Sequence, residues 1–339
     1  MQVRATINDV ANQAGVSIKT VSRVMNNEPS VSKTTQEKVL KVVKALNYQP
    51  NAAARNLAGT KSYAVAFIYD NPNAYYIIDM QNGLLSACNE QGFELLIHPC
   101  NAKSHDINAE LTEMVKRSRV AGLVLTPPFS EMPSVIETLE KLDVKFVRIL
   151  SGSGQSDGRS PCIFIDDREA AFAITEHLIA SGHQTIGFLC GDKGHNSSQE
   201  RLMGYKAALK KHGIRIDRSL ILAGEYSFES GVNGAKKLLS KEQRPTAIFA
   251  SNDEMAAGAL FAARLMDIDI PSQLAITGFE DSPFSRQTWP KLTTAQQPTS
   301  TIARSAAELL IQATRNQSTE NNFTIFTPEL IVRQSTQAE

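Results

Sequence analysis

Thr6-Ile7-Asn8-Asp9-Val10-Ala11-Asn12-Gln13-Ala14-Gly15-Val16-Ser17 opens a helix, breaks it and prepares another within twelve residues. Thr6 followed three residues later by Asp9 has the form of a capping box, which predicts a helix from Ile7 to Ala14. Gly15 can take the positive φ that ends a helix, and Ser17 is placed to cap a second one, Ile18 to about Asn26. Ala11, Val16, Val21 and Val24 fall at spacings that face inward, whereas Ile18, Lys19, Ser22 and Arg23 fall on the opposite side. A third helix, roughly Lys33 to Leu46, points Val39, Leu40, Val43 and Leu46 inward and Lys38, Lys41 and Lys44 outward, closing a three-helix core.

Charge is distributed to match. Residues 1–60 carry eight basic side chains against three acidic ones, a net +5; the whole chain, with 35 of each sign, is neutral, so the remainder carries −5. A basic segment fused to an acidic body attracts phosphate at one end only, as a helix-turn-helix DNA reader requires. Pro50 to Gly59 supplies a further short element. Asn51 can cap it, Ala52, Ala53 and Ala54 are strong helix formers and Gly59 stops it, but roughly eight residues are too few for a stable isolated helix in water.

The block Asp9-Val10-Ala11 through Gly15-Val16-Ser17, the run Thr20-Val21-Ser22-Arg23-Val24, the stretch Asn47-Tyr48-Gln49-Pro50-Asn51 and the segment Asn51 to Gly59 together resemble the DNA-binding head of the lactose-repressor (LacI/GalR) family. Beyond the head the resemblance extends over essentially the whole chain. It implies that Ile18, Lys19 and Arg23 enter the major groove of a double-stranded, pseudo-palindromic operator, with Ser17, Thr20 and Ser22 suited to phosphates. Thr6, Asn26 and Asn51 are also DNA-binding positions on this reading. In the family two hinge helices pair at the dyad of a homodimer, enter the minor groove and push a leucine between base steps. Leu57 matches that wedge, with Ala54 and Arg55 beside it.

About 275 residues follow the head, more than one core usually serves. Apolar runs at Tyr63 to Tyr69, Phe93 to Ile97, Gly122 to Leu125, Lys145 to Leu150, Cys162 to Ile165, Thr185 to Leu189, Thr246 to Ala250 and Leu274 to Phe279 read as strands. They alternate with helical stretches such as Ala171 to Ala180 and Met255 to Leu265. The fold class is therefore α/β: a helix-turn-helix head and hinge, then a two-lobed, doubly wound parallel-sheet body. The expected domains are 1–49 for the head, 50–61 for the hinge, 62–334 for the body and 335–339 for a tail. Within the body, one lobe is expected over about 62–160 plus 291–322 and the other over about 161–290 plus 323–334.

In open α/β sheets ligands gather beyond the carboxyl ends of the strands. That rule selects Asp70, Asn71, Ser251, Asn252, Asp253, Glu280 and Asp281. The resemblance implies an effector site between two lobes shaped like periplasmic sugar-binding proteins. Asp70, Arg201, Asn252, Glu280 and Gln297 match its polar positions, and Phe164 and Tyr226 its apolar or stacking ones. Glu280 stands where an aspartate is usual, so either it or Asp281 is the contact, and Leu150 stands where the family's namesake has an acid. Asp253 and Glu200 also read as helix-starting residues and Asp166-Asp167 as turn residues after a strand. The expected function is a transcriptional regulator, a repressor of carbohydrate use, answering to a mono- or disaccharide or glucoside. A purine or other non-sugar metabolite is the alternative effector, and a transport-linked sugar-binding protein the alternative function.

Two enzyme motifs are missing: there is no GxxxxGK[ST] phosphate loop and no HExxH. The expectation is a non-enzyme without cofactor or bound metal. Cys88, Cys100, Cys162 and Cys190 are scattered without a CxxC pair, and His98, His105, His177, His183, His195 and His212 show no ligand spacing of that kind. Reduced thiols are expected. No signal peptide or membrane span is visible, so the chain is expected to be cytoplasmic and away from membranes. Its last residues leave no room for an apolar heptad tail, which favours a dimer over a tetramer.

Overall fold

The computed structural model of the chain describes residues 5–25, 30–48, 62–71, 73–152, 154, 156–316 and 323–337. The head consists of α1 (Ile7–Ala14), α2 (Ile18–Met25) and α3 (Lys33–Ala45). Each start is visible in its cap. The Asp9 carboxylate accepts the Thr6 backbone N–H at 2.8 Å while the Thr6 hydroxyl accepts from the Asp9 backbone, and these bonds to Thr6 lower the Asp9 carboxyl below its ordinary value. Gly15 ends α1 at φ 60°. The Ser17 hydroxyl accepts the Thr20 N–H at 3.1 Å, and Ser32 caps α3 in the same way through Thr35.

Val10, Ala11, Ala14, Val21, Val24 and Val39 form the buried core of the head, with Val16, Val43 and Leu46 packed against it. Leu40 departs from expectation: it is 45% exposed. Val39 takes the inward position, and the next residue on a helix is turned away by about 100°.

The body runs β1 (Ala64–Tyr69), α4 (Ala74–Gln91), β2 (Glu94–Pro99), α5 (Ile107–Ser118), β3 (Gly122–Leu125), α6 (Pro133–Lys141), β4 (Lys145–Ser151) and β5 (Cys162–Ile165). It continues through α7 (Asp167–Ala180), β6 (Ile186–Leu189), α8 (Asn196–Lys211), β7 (Ile221–Leu222), α9 (Phe228–Leu239), β8 (Ala247–Ala250), α10 (Asp253–Leu265) and β9 (Ala275–Thr277). It ends with α11 (Pro283–Gln287), β10 (Thr294–Gln296), α12 (Thr299–Thr314), β11 (Phe323–Phe326) and β12 (Glu329–Ile331). The first sheet has the order β11-β5-β4-β3-β1-β2 and the second β7-β6-β8-β9, with β10 and β12 paired separately and antiparallel. Helices cover both faces, so strands such as β3, β5, β6 and β8 are buried along their whole length and read as continuous apolar runs. Among the described residues no helix is long and apolar enough to cross a membrane.

The lobes meet at different residues from those expected. β5 and β11, expected in the second lobe, both belong to the first sheet, whereas β10, expected in the first lobe, pairs with β12 and continues from the second sheet through Thr277 and Thr293. The chain therefore crosses between lobes after Ile165, between Gln296 and Thr299, and between Phe326 and Glu329. The sheet that a short strand joins is set by partners far along the chain, as for β11 beside β5 and β10 beside β12, and its own residues carry no mark of it.

Helices α9 and α10 cross at a pair of glycines. A Cβ on Gly258 would lie 2.2 Å from the Phe228 carbonyl oxygen, and one on Gly231 would lie 2.2 Å from that of Met255. Since backbone cannot yield as a side chain can, Gly258→Ala is expected to destabilise the body by about 1 to 3 kcal/mol, read as a lowered urea midpoint at unchanged slope.

Candidate functional site

Two sites emerge, one in each part of the chain. In the head, Val21 and Val24 anchor α2 to the core. Ile18 is 50% exposed, Lys19 is exposed, and Thr20, Ser22 and Arg23 are partly so. The outward face foreseen in the sequence is thus a real surface. The hydroxyls of Ser17 and Thr20 bond each other at 2.9 Å at the start of α2. Thr6 is exposed, but its hydroxyl is committed to the cap of α1. Asn26, Asn51, Ala54, Arg55 and Leu57 lie outside the described residues.

In the body, a cleft lies between the two sheets. Every strand-borne part of its wall comes from a carboxyl end: Asn71 and Asn73 follow β1, Pro127 follows β3, Leu150 and Ser151 end β4, and Ile165 and Asp167 flank the exit from β5. From the other lobe come Tyr226 after β7, Asn252 after β8, Glu280 after β9 and Gln297 after β10. Strand order reverses between β1 and β3 and between β6 and β8, the topological switch points at which such folds open a crevice.

Arg201 on α8 lies at the centre. Its Nε donates to the Asp167 carboxylate at 2.7 Å and its Nη1 to the Ser251 carbonyl at 2.5 Å, and its guanidinium carbon sits 3.7 Å from the centroid of the Phe279 ring. Asp167 is 1% exposed and also accepts a short bond from the Ser151 hydroxyl. It is a buried charge partner, a correction to the turn residue expected; Asp166 does the turning, capping α7 through Glu169. The strand-end rule applied to Cys162–Ile165 would have found Asp167.

Asn252 is fully buried and its amide is used within the protein, Oδ1 accepting the Met255 N–H and Nδ2 donating to the Tyr226 carbonyl. Tyr226 adopts φ 60°, and its hydroxyl bonds Ser197 and Ser198 at 3.0 Å each. Asn73 donates to the Glu280 carboxylate at 2.6 Å, a bond from one lobe to the other. Of the two adjacent acids, Glu280 lines the cleft. Asp281 turns away and is held by Ser285, Arg286 and Arg333.

Two of the residues matched by the family resemblance do not reach the cleft. The Asp70 carboxylate accepts the Ala102 N–H at 2.8 Å and fastens the loop after β2. Phe164 sits edge-on to Phe323 with centroids 6.2 Å apart, on the opposite face of β5 from Ile165, because successive strand side chains alternate. Asn73, Tyr76, His195 and Ser197 line the cleft without having been foreseen; Asn73 lies just beyond the β1 end, whereas Tyr76, His195 and Ser197 sit on a helix start or a connecting turn, where neither strand ends nor periodicity points.

The cleft sets two carboxyl groups, Asp167 and Glu280, around one cation. Arg201 is its only Lys or Arg among the described lining residues, facing Asp167 and Glu280, while burial holds His195 below its ordinary value and hence neutral near pH 7. Burial pushes Glu280 up to about 8 against the pull of Arg201, and Asp253 up to about 7. Glu131, which accepts the backbone N–H groups of Ser151 and Asn196 at 3.3 Å each, is pushed up to about 6 by burial.

Residues 6–51 match the model of bacterial regulatory proteins of the lacI family, and residues 175–336 that of a periplasmic binding protein-like domain. The HTH-type transcriptional regulator GalR of Escherichia coli (strain K12) is 34% identical over 98% of this chain and 95% of its own. The chain belongs to the lacI family of bacterial regulatory proteins. It is accordingly a DNA-binding transcriptional regulator with a periplasmic-binding-protein-like body. Among its LacI-family relatives, the HTH-type transcriptional repressor PurR of Vibrio vulnificus (strain CMCP6) is 29% identical over 97% of this chain and 98% of its own. A transcriptional regulator CelR–cellobiose complex aligns with TM-score 0.74 and 28% identity over 98% of this chain and all of that one. The lac repressor dimer bound to operator and the anti-inducer ONPF aligns with TM-score 0.76 and 26% identity over 99% of this chain and all of that one.

The raised carboxyls of this LacI-family cleft set a pH dependence. An unfolded Glu releases its proton near 4.5, whereas folded Glu280 keeps it to about 8. Between these values the folded state binds the extra proton, so stability falls as pH rises and levels off above the window. Glu280→Gln is expected to flatten this slope by roughly 1 to 3 kcal/mol, the shift being discounted for the water an open cleft admits. Urea unfolding at pH 5.5 and 8.5 measures it.

Proposed function

We propose that this regulator is a repressor that binds a pseudo-palindromic operator as a homodimer and answers to an uncharged, hydroxyl-rich effector, a mono- or disaccharide, held in the interlobe cleft. The observation that carries this reading is the cleft's charge pattern. Its one guanidinium is already neutralised by Asp167, and Glu280 beside it keeps its proton to about 8, so a phosphate or carboxylate on the ligand would find no unpaired positive charge. Hydroxyls suit the same groups well. Asn73, Glu280, Gln297 and the outward N–H groups of Arg201 offer donors and acceptors, while Tyr226, Pro127, Leu150 and Ile165 offer apolar surface for C–H faces. The CelR relative is described in complex with cellobiose, in line with a sugar.

In the head, Ile18, Lys19 and Arg23 are assigned to base edges and Thr6, Ser17, Thr20 and Ser22 to phosphates. The start of α2 adds an anion-favouring dipole end. Asn26 and Asn51 are assigned to DNA contact, Leu57 to a minor-groove wedge, and Ala54 and Arg55 to its flanks. The body's part is to bias two states of lobe closure, which couples effector to operator only through differential affinity.

Arg23→Ala is expected to weaken binding to an operator selected from a random library by about 1 to 3 kcal/mol at fixed salt; unchanged affinity would remove α2 as the reader. For the effector, calorimetry should show binding of a neutral sugar or glucoside, reduced at least tenfold by Arg201→Lys. Tighter binding of a sugar phosphate or a purine base would reject the proposed effector class.

A further inference from the structure

Away from the cleft, the end of β2 and the second half-turn of α5 bring three ligand-type side chains together. The ring nitrogen of His98, the Sγ of Cys100 and a carboxylate oxygen of Glu110 all lie within 4.8 Å of one another, the one such trio among the described residues. We propose that His98, Cys100 and Glu110 bind a divalent transition-metal ion of the zinc class. A thiolate, an imidazole and a carboxylate form a mixed S/N/O set that suits zinc and disfavours magnesium or calcium, which take oxygen alone.

Three observations bear on it. First, His98 Nε2 is buried and makes no hydrogen bond, although it lies 3.3 Å from Glu110 Oε1. A buried ring nitrogen left this way is an unmet polar group, and 3.3 Å is close to the spacing of two ligands on a tetrahedral ion with bonds of about 2.0 to 2.3 Å. Second, the backbone that presents the thiol is fastened. Cys100 N–H donates to the Tyr69 carbonyl at 3.0 Å, and Asp70 holds Ala102 two residues on. Third, the trio is not sealed: the side chains of His98 and Glu110 are 21% and 40% exposed, which leaves a path for an ion and a fourth position for water.

Proton balance follows. In the metal-free site the Cys100 thiol donates its S–H to the His98 carbonyl at 3.8 Å. Binding exchanges that proton for the ion: the S–H bond breaks, an S–metal bond forms and H⁺ leaves to solvent. Thiolate and carboxylate together then balance the 2+ charge beside a neutral imidazole. The sequence hides the trio because Glu110 comes from the following helix, so no two-residue ligand spacing announces it.

The test is cobalt(II) titration of the reduced full-length protein. The proposal predicts a thiolate-to-cobalt charge-transfer band that saturates at one equivalent and is removed by stoichiometric zinc. Cys100→Ser should abolish the band. Glu110→Gln should weaken cobalt binding at least tenfold while leaving operator binding intact, which reports folding. Absence of the band in the parent protein, its survival in Cys100→Ser, or unchanged affinity in Glu110→Gln each overturns the proposal.

Discussion

The ion pair between Arg201 and Asp167 is the constraint on which the body depends. Both groups are almost fully buried, at 4% and 1% exposure, and a lone charge at that depth would be strongly disfavoured. Their 2.7 Å contact joins the first residue of α7, at the crossing that follows β5, to the neighbouring helix α8 of the same lobe. The same guanidinium reaches the end of β8 at Ser251 and stacks on Phe279 at the end of β9. One side chain thus ties together the chain's first passage between lobes and the two strand ends nearest Glu280. A buried pair of this kind adds little net stability against an apolar substitute, but breaking it is costly, so it specifies geometry more than it stabilises.

Around that fixed centre the remaining cleft groups are held in graded fashion. Tyr226 is clamped: Asn252 holds its carbonyl, two serines hold its hydroxyl, and Gly191 leaves the space its ring occupies, since a Cβ there would lie 2.1 Å from Cζ. Contacts from lobe to lobe are of another kind. Asn73 to Glu280, and Asn196 to Ser151 and Glu131, are polar bonds at a solvent-accessible seam. Water or a ligand hydroxyl can replace each of them at small net cost. The site is rigid within each wall and exchangeable between the walls.

How much of this the sequence displays differs with the source of the signal. Local chemistry is plain: the Thr6–Asp9 box, the Gly15 break and the Ser17 cap need only neighbours in sequence, and α1 occupies the residues expected for it. Long buried strands are also plain, because burial on both faces forces unbroken apolar runs. Short elements are not. β7, β10 and β12 contain two or three residues each and owe their existence to partners far along the chain. In the cleft, Arg201, Tyr226, Asn252, Glu280 and Gln297 were legible from strand ends and family resemblance together. Phe164 was misplaced because a strand's two faces differ by one residue, and Asp167 was undervalued because a turn acid and a buried counter-ion look alike until the fold supplies the arginine.

The three passages between lobes, after β5, between β10 and α12, and between β11 and β12, carry a mechanical meaning. A single tether would let one lobe swivel freely; three side by side resist twist and sliding while still yielding to flexure. Relative motion in the body is thereby reduced toward one coordinate, the opening angle of the cleft. A ligand that presses on the walls has that one angle to change, and whatever is attached to both lobes receives it as a simple change of separation.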